Sequence, residues 1–106
     1  MCIRDSLNTV QKALDICEAF EPDLILYQAG VDGLEADALG KLNVSREGMK
    51  LRNHLVFEAA HAQNIPLVVF MGGGYAKPID ASLDAFYDLF TEAVAWDDRA
   101  RIRGDP

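Results

Sequence analysis

The sequence predicts an α/β fold in which parallel strands lie under helices. Two apolar runs without polar alternation, Leu24-Ile25-Leu26-Tyr27 and Leu67-Val68-Val69-Phe70-Met71, have the pattern of strands buried on both faces. The interval between them holds a helical pattern, as a parallel crossover requires and a hairpin does not. Helical spacing also precedes the first run and follows the second, so the order is helix, strand, helix, strand, helix.

The opening residues 1–6, Met1-Cys2-Ile3-Arg4-Asp5-Ser6, read as a lead-in detached from the fold, like the translated leaders of some environmental reading frames; alternatively, Ser6 caps the helix that follows. From Leu7 the apolar residues Val10, Ala13, Leu14, Cys17 and Phe20 recur in steps that share one helical face. Pro22 ends that helix, because a proline disfavours helical backbone in the residue before it. The first strand is expected over Asp23 to Ala29. A long glycine-bearing loop with Gly30, Gly33 and Gly40 then runs to Ser45, an N-cap residue for the second helix. Met49, Leu51, Leu55, Val56, Ala59, Ala60 and Ala62 give that helix a broad apolar face, and Asn64 suits a left-handed C-terminal position. Pro66 stands at the first position of the second strand, where it costs no ladder bond. Pro78 opens the third helix, whose expected face is Ile79, Leu83, Phe86, Tyr87, Phe90 and Val94. Residues 7–94 form the domain portion, and residues 95–106 a charged tail expected to fray.

At 106 residues the chain is one domain at most. Its net charge of −7 argues against direct nucleic-acid or anionic-membrane binding. There is no signal peptide and no apolar stretch long enough for a membrane span, so a cytoplasmic setting is expected. Cys2 and Cys17 match no metal or redox spacing and read as reduced thiols. Two strands flanked by three helices leave two open edges and too little cover, as expected of part of a larger α/β domain.

A βαβ unit brings both strand ends to one edge of the sheet, where open α/β folds bind ligands. The first strand leads to Gly30-Val31-Asp32 and the second to Gly72-Gly73-Gly74-Tyr75. A phosphate-binding GxGxxG is excluded, since Lys77 stands where the third glycine belongs. Asp32 alone is as readily a structural aspartate, and Tyr75 alone a packing residue. Together they mark the candidate site.

With Pro22 through Asp32, Asp37-Ala38-Leu39-Gly40, Leu42-Asn43-Val44-Ser45 and Gly72 through Tyr75, the chain resembles the zinc-dependent histone deacetylase family, most nearly its class IV-like and bacterial members. The resemblance runs over residues 7 to 94. It implies the arginase/deacetylase fold, a three-layer parallel sheet flanked by helices, of which this chain would hold an α-β-α-β-α portion. It implies Asp32 as a carboxylate ligand of Zn2+, with Fe2+ also compatible with Asp/His ligation. It further implies Tyr75 as hydrogen-bond donor to the acyl carbonyl and the developing oxyanion. Leu39 would be a wall residue of the acyl-lysine tunnel, and Gly73 and Gly74 the pliant segment before the tyrosine. Asp37 matches an acidic position without an assigned role.

The family pattern also requires a D-x-H pair for two further metal ligands and a paired-histidine base, neither of which is present. His54 and His61, about 10.5 Å apart along one helix, are too far apart to share a metal and read as surface or partly packed residues. Glu35, Asp97 and Asp98 read as solvated charges. The expectation is a C-terminal segment of a deacetylase acting on an acylated lysine, inactive alone and requiring the rest of the catalytic domain. A small acylated amine such as an acetylpolyamine is the alternative substrate. The alternative from another class is a short interaction module that pairs a partner through an open sheet edge.

Overall fold

The computed structural model describes residues 3–30, 45–72 and 79–103. Its elements are α1 (Ile3–Phe20), β1 (Ile25–Gln28), α2 (Arg46–Gln63), β2 (Leu67–Phe70) and α3 (Asp80–Arg103). The two strands are parallel neighbours, in register from Ile25↔Leu67 to Gln28↔Phe70. The ladder runs one bond further at each end, with the Ile25 amide on the Pro66 carbonyl at 3.0 Å and the Ala29 amide on the Phe70 carbonyl at 2.8 Å. Pro66 thus serves the sheet as an acceptor although it cannot donate. No helix among the described residues is long and apolar enough to cross a membrane.

The punctuation expected of α2 is present at both ends. Ser45 is extended, and its hydroxyl accepts the Gly48 amide at 3.1 Å, satisfying one donor of the open first turn. Asn64 is left-handed at φ 56°, ψ 44°, and returns its amide to the last turn of the helix. Helix α1 begins at Ile3, ahead of the Leu7 start that the apolar spacing gives. It closes on Glu21, left-handed at φ 56°, whose amide donates to the Glu18 carbonyl. Leu7, Val10 and Leu14 are half-buried, whereas Ala13, Cys17 and Phe20 of the expected face are exposed.

Helix α2 is the centre of the packing, with α1 against one side and α3 against another. The core joins Ala29, Phe57 and Leu89, with Tyr27, Leu67, Val69, Phe86, Ala93 and Trp96 packed around them. The Tyr27 and Phe57 rings meet edge to face, 6.4 Å apart at 87°. Hence one face of the sheet (Ile25, Tyr27, Leu67, Val69) lies under α2 and α3.

Three expectations change. The strands are covered on one face rather than two: Leu26, Val68 and Phe70 are exposed on the other, Leu26 by 65%. The reason is that α1 packs against α2, so its apolar residues do not cover that face. Helix α3 turns a largely different side inward: Ser82, Ala85 and Leu89 are buried and Phe86 of the expected face packs on the core, while Leu83, Tyr87, Phe90 and Val94, with Ile79 just ahead of the helix, are exposed. Small residues let α3 sit close to its neighbours, and the bulkier stripe is left outside. Finally, the helix continues through residues 97–103 where fraying was expected.

Candidate functional site

The carboxyl ends of β1 and β2 meet backbone to backbone. A Cβ added at Gly30 would lie 2.8 Å from the Gly72 carbonyl oxygen, and one at Gly72 would lie 3.0 Å from Gln28 Nε2. At Gly30 the obstacle is backbone, so a side chain there would force a strand end to shift, whereas at Gly72 it is the tip of the exposed Gln28 side chain, which can move aside. Ala29, just before Gly30, is fully buried. The chain therefore leaves β1 towards Asp32 and β2 towards Tyr75 from two points in contact, as the crossover predicted. Asp32, Leu39, Gly73, Gly74 and Tyr75 themselves lie outside the described residues, as do Asp37 and the loop around it.

A polar network braces this edge from α2. Arg52 donates from Nη1 to the Gly30 carbonyl at 2.7 Å, and from Nη2 and Nε to Asn53 Oδ1 at 3.1 and 3.3 Å. The Tyr27 hydroxyl donates to the same Asn53 oxygen at 2.6 Å. The guanidinium carbon lies 5.5 Å from the centre of the Tyr27 ring. Burial pushes the Tyr27 phenol above its ordinary pKa, and the Arg52 charge opposes that rise. Asn53, 2% exposed, is a buried polar residue whose bonds offset its loss of water.

Arg52 and Asn53 escaped the reading of the sequence. A signal was there: Asn53 stands on the stripe of Met49, Val56, Phe57 and Ala60, the only amide among apolar neighbours. A polar residue in the middle of a buried stripe implies a specific partner.

The histidines behave as their spacing implies. His54 lies between Glu58, 3.1 Å from Nε2, and Glu92, 3.0 Å from Nδ1. His61 packs on Trp96 with ring centres 4.8 Å apart. Trp96 donates to Glu92 at 2.8 Å and carries the Arg99 guanidinium 4.4 Å above its ring. This cluster joins α2 to α3. Among the described residues no three of His, Cys, Asp or Glu gather to hold a metal ion. Those residues by themselves do not fit a zinc centre.

What the geometry defines is an α/β unit with a glycine-lined edge where two parallel strands end together. Residues 4–93 match the family model of the histone deacetylase domain, and the chain belongs to that family. It is similar to histone deacetylase 2 of Arabidopsis thaliana, 42% identical over 72 residues, which are 67% of this chain and 19% of that protein. An uncharacterised protein of the cyanobacterium Picosynechococcus is 42% identical over 65 residues, 61% of this chain and 22% of that one. Histone deacetylase 7 of Arabidopsis thaliana is 34% identical over 72 residues, 68% of this chain and 16% of that protein. The chain thus spans about a fifth of the length of the curated relatives it matches.

Proposed function

We propose that the chain is the C-terminal segment of a zinc-dependent deacetylase domain of the arginase/deacetylase fold, which hydrolyses acyl-lysine amides. The observation that carries this reading is the contact of Gly30 with Gly72. Asp32 follows the first glycine by two residues and Tyr75 follows the second by three, so a metal-binding carboxylate and an oxyanion donor start from one edge. Membership of the deacetylase family supports the chemistry.

In this reading Asp32 is one zinc ligand, and the other two come from the remainder of the domain with the histidine base. A site with three protein ligands leaves a position open for water, and bound zinc supplies Lewis acidity. Tyr75 donates a hydrogen bond to the carbonyl oxygen as negative charge gathers there. Leu39 lines the passage for the acyl-lysine stem, and Gly73 and Gly74 let the tyrosine segment approach the substrate. Hydrolysis adds water across the amide: the acyl carbon gains oxygen, the C–N bond breaks, and the amine leaves with a proton. The bare sheet face is where the rest of the domain packs. Residues 1–6 remain assigned to a lead-in and 95–106 to a charged tail.

The test is to express the complete reading frame that contains these codons and to follow acetate release from an acetyl-lysine peptide and from acetylpolyamines. Turnover of the peptide is expected, with Asp32→Asn abolishing it and Tyr75→Phe lowering kcat about 10²–10³-fold. The 106-residue chain alone is expected to release no acetate. Faster turnover of acetylpolyamines would move the substrate to small amines. A complete product inactive on both would overturn the enzyme reading.

A further inference from the structure

Both histidines of the chain sit on α2, and one of them meets a carboxylate at each ring nitrogen. His54 Nε2 lies 3.1 Å from Glu58 Oε2, one turn further along α2, and Nδ1 lies 3.0 Å from Glu92 Oε1 on α3. An ionised carboxylate accepts hydrogen bonds and cannot donate them, whereas a neutral imidazole carries a proton on one nitrogen alone. Both contacts are therefore hydrogen bonds only when His54 holds two protons. With one proton, a ring lone pair is left facing a carboxylate oxygen.

The two carboxylates are not equivalent. The Glu92 side chain is 29% exposed against 59% for Glu58, and its Oε1 also accepts the Trp96 indole N–H at 2.8 Å. Glu92 is thus fixed in place, and Glu58 has water to turn into. The groove between α2 and α3 beside His54 also holds Glu47, Lys50, Tyr87 and Asp88. Lys50 leans to Glu47 at 3.9 Å and Asp88 is held by Arg46 at 2.7 Å, so neither charge is spent on the imidazole. Arg99 and His61 lie against the Trp96 ring. On its other side, Glu58 shares a groove of about 260 Å³ with Asp15 and Glu18 of α1. A Glu58 released by His54 therefore brings an uncompensated charge beside two of the same sign.

We propose that His54 is a proton-operated clasp of the helical layer: with two protons it holds Glu92 and Glu58 together, and with one it keeps Glu92 through Nδ1–H and lets Glu58 go. The clasp is closed on the acid side of the histidine range while both carboxylates stay ionised, and it opens as pH rises. Opening leaves α2 joined to α3 and loosens the acidic groove against α1. The device lies wholly within the helices and is independent of the deacetylase reading.

Two measurements on the 106-residue chain test it, at about pH 5.5 and about pH 8.5, either side of the ordinary histidine range. In 15N spectra of the imidazole, both nitrogens of His54 are expected to carry protons at the lower pH and Nδ1 alone at the higher. Glu92→Ala is expected to abolish that preference for Nδ1. A neutral wild-type ring protonated on Nε2 would overturn the proposal, with no variant required. The second measurement is a double-mutant cycle of His54→Ala and Glu58→Gln, with unfolding followed by circular dichroism. A coupling of about threefold in the unfolding equilibrium is expected at the lower pH, the scale of an exposed helical ion pair, and none at the higher. Equal coupling at both pH values, or none at either, would overturn the clasp.

Discussion

At Gly30 a single hydrogen atom stands where any other residue would carry carbon. The nearest obstacle is a backbone oxygen, that of Gly72 at 2.8 Å, so relief requires one strand end to shift. Gly30→Ala should therefore cost about 1–3 kcal/mol, the usual range for overpacking, seen as a lower urea midpoint with an unchanged slope. A loss near zero would mean that the strand ends separate freely. The glycines were legible in the sequence as permissive points after apolar runs. That one touches the other was not, because only the pairing register brings positions 30 and 72 together.

The elements show which sequence signals carry to the structure. Ser45 and Asn64 could be placed from local chemistry alone, since a cap acts on its own neighbouring turns. The face of α3 could not. Bulk at Leu83, Tyr87, Phe90 and Val94 outweighs Ser82, Ala85 and Leu89 in any hydrophobic reading, yet the second set is buried. What decides is the space between α3 and its neighbours, a property of the packed pair. The same pair carries a bidentate ion bridge, Arg46 to Asp88 at 2.7 and 2.9 Å. The Arg46 hydrogen bond, opposed by burial, holds the Asp88 carboxyl below its ordinary pKa. A depressed folded-state pKa stabilises the fold above the unfolded value, near pH 4, and the contribution is lost as pH falls through the folded value. Wild type should thus melt above Asp88→Asn at pH 7, and the gap should narrow by pH 3, as followed by circular dichroism. An equal gap at both pH values would show that the bridge contributes nothing.

For the whole molecule, the apolar residues fall into a covered set and a bare set. Leu89→Ala should cost about 2–5 kcal/mol as a core truncation. Tyr87→Lys, at a position 70% exposed, should stay within about 0.5 kcal/mol and reduce binding of an apolar fluorescent dye. The reverse order of costs would mean that α3 is rotated. A helix apolar on most of its circumference is normally enclosed, and α3 comes near to that pattern with one side uncovered. The sequence showed this shortage of cover as too few helices for two-sided strands. It could not show which faces go uncovered, because α1 was free to join either the sheet or α2.

The uncovered sheet face has a consequence for how the strands find their alignment. In a strand with one polar side, a slip of one residue is punished by turning every apolar group to water. Here Leu26 and Val68 differ little in character from Ile25 and Val69, so hydrophobicity alone barely distinguishes correct pairing from a shifted one. The index mark is polar instead. Only the native alignment of β1 brings the Tyr27 hydroxyl to Asn53 while setting Gly30 against Gly72. A phenol and the side chain missing at Gly30 thus proofread the sheet.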